Sequence, residues 1–243
     1  MWKTFAARLI YQSPQGIRVF QNFLFRWLQF DSKALQTVIN RYKPSRPQLR
    51  YLNYLMLAVQ LKPQNCCMLG LGGGGAAHAL SPLLGCSKLV VVESSLEVIE
   101  LAKRFFMIDS LKNIALVNEE ASLFLSKNND KYQHLLIDLF TAHTFPEHCI
   151  SEEFFANCKR ALNPGGILAI NSANAKEHLS LYEALKKQFL SATVVVAVPG
   201  TANLIIYAQN SSNINLFLDL LKNNKKIKQL SWSDRWGYMA SLR

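Results

Sequence analysis

Glycine, glutamate and aspartate stand at the ends of short apolar runs between residues 66 and 138, and there this sequence has the means to do chemistry. Gly70-Leu71-Gly72-Gly73-Gly74-Gly75 closes the run that begins at Cys66 and opens a helical segment. Glycines at such a place let the backbone bend sharply and let a ligand approach main-chain N–H groups at a helix N-terminus, which favours nucleotide binding over a plain turn. Glu93 ends the next run, twenty-three residues after Gly70, where a carboxylate can accept both hydroxyl hydrogens of a ribose. Glu119 and Glu120 follow a third run; a carboxylate there can meet an adenine amino group, and a solvated surface pair is the alternative for one of them. Asp138 follows His134–Ile137, and an acid leaving a buried strand can act as a general base if an amine or hydroxyl comes within hydrogen-bond reach.

The elements that must position these residues read as strands alternating with helices. Strands are expected at 66–71, 88–93, 114–117, 132–138 and 166–171, and helices at 76–84, 95–106, 121–125, 152–162 and 177–189. Such alternation implies parallel pairing through right-handed crossovers, with ligands collecting outside the carboxyl ends of the strands. The last pair, 193–198 and 204–208, is joined by PGTAN, short enough for an antiparallel hairpin. Upstream, 17–20 and 23–30 read as a hairpin turning at Gln21 and Asn22, and KPSRP at 43–47 separates it from a helix over 49–61.

Half of the 243 residues are hydrophobic and 18% are charged, enough for a full-sized core and unlike a disordered, collagenous, coiled-coil or disulfide-scaffold chain. No apolar run approaches the roughly 18 residues of a membrane span, and MWKTFAARLIYQ lacks the apolar stretch of a secretory signal, so a cytoplasmic protein without membrane contact is expected. Five scattered cysteines without a C-x-x-C pair suit buried thiols, and the five histidines show no metal-ligand spacing with them, so no metal is expected. The net charge of +11 is lopsided: residues 1–92 carry eleven Lys and Arg against one acid, Asp31. That field suits either an anionic partner, nucleic acid included, or a solvated basic face. Phe20, Phe23, Phe25, Trp27 and Phe30 read as hairpin core or as base-stacking surface, and Trp232, Trp236 and Tyr238 as a patch that docks on the domain or on a partner.

Taken together, GLGGGG at 70–75, Glu93-Ser94-Ser95, Glu119-Glu120-Ala121, Asp138 through CISEEFF and KRALNPGG at 159–166 resemble the ordered motifs of the spermidine synthases, the polyamine aminopropyltransferases of the adenosylmethionine-dependent methyltransferase superfamily. QGIRVF at 15–20 and FDSKALQ at 30–36 are similar to that family's N-terminal motifs. The resemblance implies an α/β, Rossmann-like methyltransferase fold over 49–243, with a mainly parallel seven-stranded sheet and an antiparallel end strand, after a small β-hairpin domain over 1–48. It further implies S-adenosylmethionine or its decarboxylated form as co-substrate, a small-molecule acceptor and a homodimer. Gly70, Gly72, Gly73 and Gly74 would cradle the ligand, Glu93 bind ribose, Glu120 contact adenine, Gln15 and Gln36 face the ligand from the small domain, and Asp138 act as base.

Three acids of the family pattern are absent: the glycine-loop acid is Gly73, the second acid of D-S-x-D is Thr141, and the tyrosine and acid ahead of Met56 are Asn53 and Leu55. Hydrogen bonds to a charged group contribute about 1.5–3 kcal/mol each, so these losses speak against an ordinary polyamine substrate. The leading expectation is a divergent spermidine-synthase-like transferase. The alternatives are a methyltransferase on an anionic or nucleic-acid acceptor and a non-catalytic scaffold.

Overall fold

The computed structural model describes residues 4–30, 35–140, 144–190 and 193–242. Asp31, Thr141 and His143 therefore lie outside the described residues. Strands β1 (Arg8–Gln12), β2 (Arg18–Gln21), β3 (Phe25–Gln29) and β4 (Leu35–Asn40) pair in that order as an antiparallel sheet. The expected hairpin is its centre, β2 and β3, turned by Asn22, whose Oδ1 accepts from the N–H groups of Leu24 and Phe25 at 3.0 and 2.7 Å. The flanking strands were not legible: RLIYQ and LQTVIN are short and mixed in polarity, so periodicity hides them. Phe25 and Trp27 are buried with Val38 and Phe20 stacks on Trp27, as a hairpin core requires, whereas Phe23 stands exposed.

The continuous helix expected over 49–61 is two short ones, α1 (Leu52–Leu55) and α2 (Leu57–Leu61), with Met56 outside helical geometry between them. Leu55 through Val59 are all buried, so no single face faces water and a regular amphipathic helix has no advantage here.

From Cys66 onward the alternation follows expectation: β5 (Cys66–Leu69), α3 (Gly75–Leu84), β6 (Leu89–Glu93), α4 (Leu96–Phe106), β7 (Ile114–Asn118), α5 (Ala121–Lys127), β8 (Tyr132–Ile137), α6 (Glu152–Arg160), β9 (Leu162–Ser172), α7 (His178–Phe189), β10 (Thr193–Ala197) and β11 (Leu204–Gln209). β5 and β8 are buried throughout; β5 accordingly reads as an unbroken apolar run, whereas β8 also buries Gln133 and His134. Local chemistry sets the helix limits. Ser95 caps α4 by accepting from Val98 N–H, Lys103 and Arg104 fall in its last turn, and Met107 ends it in the left-handed region (φ +57°).

After α8 (Asn215–Lys222) the chain forms a further hairpin, β12 (Ile227–Ser233) and β13 (Gly237–Leu242). The sheet order is β12-β13-β10-β11-β9-β8-β5-β6-β7, nine strands rather than the seven expected. β13 pairs parallel to β10, covering what would otherwise be an open sheet edge. Trp236 docks on this domain, edge to face with Tyr182 at 5.2 Å, while Trp232 remains exposed. Of the described residues, no helix is long and apolar enough to cross a membrane.

Two contacts seat the small sheet on the large one. Ile17, Val19, Leu28 and Ile39 share a core with Val98, Leu101 and Phe106 of α4, and Arg26 donates to the Phe105 carbonyl. At the carboxyl end of β5, Gly70 (φ +96°) passes so close to β8 that a Cβ would lie 2.3 Å from the Asp138 carbonyl oxygen. Gly165 shares the positive φ (+74°) but has nothing within 4 Å of its would-be Cβ. Left-handed geometry costs a non-glycine residue about 1–2 kcal/mol. Gly165→Ala is therefore expected to lower the stability measured by urea unfolding by about that amount, and Gly70→Ala by clearly more; equal losses would mean that the approach of β5 to β8 is not tight.

Candidate active site

The large sheet reverses its order between β5 and β8: the chain runs outward from β5 through β6 to β7, then returns to β8 on the other side of β5. Such a reversal opens a crevice at the carboxyl ends of the strands. A pocket of about 470 Å³ lies there, roofed by β4 and α1. This volume falls in the range of ordinary small-molecule sites.

The glycine loop forms one wall. Gly70 and Gly72 line the pocket, while Gly73 and Gly74 lie behind them, outside the lining. Several N–H groups of the loop are already held by the protein: Gly73 donates to Thr37 Oγ1 at 2.8 Å, Gly74 to the Leu71 carbonyl at 2.9 Å, and Leu71 to Glu93 Oε2 at 3.0 Å. Three amides of the loop are thereby engaged within the protein. A Cβ on Gly73 would sit 3.0 Å from both the Phe106 ring and the Thr37 methyl, so the space of the family's loop acid is filled.

Glu93 faces the same end of the pocket. Its carboxylate accepts Leu71 N–H on one oxygen and Ser95 N–H, at 3.0 Å, on the other. A carboxylate has about four lone-pair positions; the Ser94 hydroxyl approaches a third at 3.5 Å. Glu119 also lines the pocket and pairs with Lys127 at 3.0 Å.

Glu120 caps α5, accepting Ser122 N–H and Leu123 N–H at 3.0 and 2.9 Å, the Ser122 hydroxyl, and His148 Nε2 at 2.9 Å. Burial raises this carboxyl, but the hydrogen bonds from Ser122, Leu123 and His148 outweigh it and bring the pKa to about 2. With every lone pair engaged, an adenine amino group reaches Glu120 only by displacing the exposed His148. Contrary to the spacing argument, Glu120, His148 and Cys149 place ligand-type atoms within 4.8 Å of one another. Burial nevertheless pushes the Cys149 thiol up to about 12, away from the thiolate that binds metals, and the carboxylate is already filled.

Asp138 closes the other end. Its backbone N–H is fixed on Leu69 O at 2.9 Å, and its carboxylate accepts the Tyr51 hydroxyl and the Asn171 amide, both at 2.8 Å. Asn171 is held in turn by Asn203, whose amide donates to its Oδ1 at 2.8 Å. Burial raises the Asp138 pKa, and the bonds from Asn171 and Tyr51 pull the other way without cancelling it. The Tyr51 hydroxyl is pushed well above its ordinary value by burial and by Asp138, so it remains a donor.

Of the other expected site residues, Gln36 on β4 lines the pocket, whereas Gln15 lies on the exposed β1–β2 turn and is not brought to it. Leu55 is core, and the Asn53 side chain folds back toward the Arg50 carbonyl. Sequence reasoning missed Asn171, Asn203 and Arg50. Asn171 was within reach of the rule that ligands meet strand ends, since it falls at the end of β9; Asn203 and Arg50 carry no such signal.

A glycine turn, an acid at the end of the second strand and a buried acid at the switch point define the Rossmann-like fold that methyltransferases share. Within it, the chain belongs to the spermine/spermidine synthase domain family, whose sequence model matches residues 50–226. It is 28% identical over 167 residues to a polyamine aminopropyltransferase of Vibrio vulnificus, a match covering 65% of this chain and only 56% of that relative's length. A probable spermidine synthase of Corynebacterium glutamicum superposes with a TM-score of 0.73 at 15% identity, covering 97% of this chain and 90% of that one. Human methyltransferase-like protein 13, solved in complex with SAH, gives a TM-score of 0.61 at 16% identity, covering 77% and 97%, and so shares the fold.

The raised Asp138 pKa has a thermodynamic sign. The folded protein holds this proton more tightly than the unfolded chain, so the group's contribution to stability is full below the ordinary aspartate value and declines as pH rises through the folded value. Asp138→Asn removes the ionisation. Its melting temperature relative to wild type is expected to climb as pH rises above the ordinary aspartate value; a flat or falling difference by thermal denaturation would contradict the buried carboxylate.

Proposed function

We propose that this protein is a transferase that moves an alkyl group from S-adenosylmethionine or its decarboxylated form to a small-molecule acceptor, with Asp138 as general base. The observation that supports this reading is a buried carboxylate, oriented by Tyr51 and Asn171, lining the same pocket as Gly70, Gly72 and Glu93. The names of the curated relatives support a transferase.

The chemistry asks little of the protein beyond position and a proton acceptor. The acceptor's nitrogen or oxygen attacks a carbon bonded to the sulfonium, the C–S bond breaks with its electron pair passing to sulfur, and a neutral thioether leaves. The proton lost by the nucleophile passes to Asp138. Burial raises the pKa of this group, which brings it nearer to a proton-transfer partner at neutral pH. Tyr51 and Asn171 keep both oxygens oriented while leaving a further lone pair on each for the acceptor. Enclosure by β4 and α1 aligns the two substrates.

Two variants separate binding from chemistry. Asp138→Asn is expected to abolish turnover, measured by release of the thioether product, while calorimetric affinity for methylthioadenosine stays within a few-fold; wild-type turnover would remove Asp138 from the role of base. Glu93→Ala is expected to weaken methylthioadenosine binding by about 1.5–3 kcal/mol, the worth of hydrogen bonds to a charged group. Unchanged affinity would reject the ribose contact.

A further inference from the structure

The two ends of the pocket differ in charge. Glu93, Glu119 and Glu120 follow β6 and β7, whereas Asp138, the other carboxylate among the described lining residues, follows β8 on the far side of β5, next to Asn171 of β9 and the β10–β11 turn that carries Thr201 and Asn203 and holds Arg50. Arg50 is exposed but tethered: its Nη1 donates to the Pro199 carbonyl at 2.8 Å, in the β10–β11 turn. The same turn packs so closely on it that a Cβ on Gly200 would lie 3.2 Å from that nitrogen. Among the described residues no carboxylate pairs with Arg50. From Ser32 through Val92 the chain contains no acid that could do so. A guanidinium carries five N–H groups in a planar fork that matches a carboxylate, and only one bond of this fork is made to the turn.

The same end offers a polycation very little. Asp138 already accepts two hydrogen bonds, and the space of a loop acid at position 73 is filled by Phe106 and Thr37. An ammonium placed there would meet one buried carboxylate and one fixed cation. Like charge at such a site discriminates against the wrong partner as effectively as a good contact favours the right one.

We propose that Arg50 is the counter-charge of an anion subsite, and that a molecule bound at the Asp138 end carries a carboxylate. The inference rests on the transferase reading above and narrows its substrate class. The carboxylate has two possible sources: the donor's own amino-acid tail, present in S-adenosylmethionine and absent from its decarboxylated form, or the acceptor.

Calorimetry on the whole chain distinguishes them. Wild type, Arg50→Ala and Arg50→Lys are titrated with S-adenosylmethionine, its decarboxylated form and methylthioadenosine. With methylthioadenosine saturating, they are then titrated with 5-aminopentanoate and with putrescine, which share a four-carbon spacer and differ in carrying a carboxylate or a second ammonium. If the donor supplies the carboxylate, intact S-adenosylmethionine binds wild type about tenfold or more tighter than the decarboxylated form. Arg50→Ala erases that preference, Arg50→Lys keeps part of it, and methylthioadenosine is unaffected. If the acceptor supplies it, 5-aminopentanoate outbinds putrescine and Arg50→Ala reverses the order. Preference for the decarboxylated donor and for putrescine, or preferences that Arg50→Ala leaves unchanged, would overturn the subsite while methylthioadenosine binding leaves the transferase reading standing. Failure of wild type to bind methylthioadenosine would bring down that reading and the subsite with it.

Discussion

The close passage of β5 beneath the end of β8 is the constraint on which the site depends. Gly70 leaves the strand at φ +96° and has no room for a Cβ because the Asp138 carbonyl lies where that atom would be. Its own N–H is bonded to Val92 O, and Asp138 N–H to Leu69 O, so the ladders of both neighbouring strands continue one residue past their formal ends. That continuity fixes three chain segments at once: the start of the glycine loop, the approach to Glu93 and the backbone of Asp138. A backbone held by hydrogen bonds on each side presents its side chains with little freedom, which is what a positioned carboxylate requires.

The small sheet completes this arrangement from above. Thr37 of β4 reaches over to hold Gly73 N–H, and its methyl helps fill the space beside that glycine. Tyr51, just ahead of α1, reaches down to Asp138, while Arg50 beside it turns to Pro199. Elements distant in the chain thus converge on one carboxylate with no formal cation bonded to it. Burial would otherwise drive such a group to neutrality, and two neutral donors keep it oriented while leaving it basic.

The glycine loop joins the two sheets. Its conformation survives, with positive φ at Gly70, Gly72 and Gly74. Gly73, where the related enzymes carry an acid, is instead packed against Phe106 and Thr37. The loop's amides hold Thr37, Glu93 and its own carbonyl, so it acts as a structural joint between the two sheets as much as a binding surface.

Sequence alone determined the alternation of strands and helices from Cys66 to Gln209, because the buried parallel strands are short and mostly apolar and α4, α5 and α6 carry side-chain caps. It also marked Gly70, Glu93, Glu120 and Asp138, since strand ends can be located once the strands are known. It did not disclose β1, β4 or the β12–β13 hairpin, whose short, mixed-polarity sequences acquire meaning only when a neighbouring edge accepts them. Nor did it reveal that Gln15 falls on an exposed turn, that His148 and Ser122 fill the Glu120 carboxylate, or that Tyr51 and Asn171, the latter held by Asn203, orient Asp138. Strand periodicity is local and survives in one dimension. The partners of a carboxylate are chosen by contacts between segments dozens of residues apart, and only the folded chain brings those together.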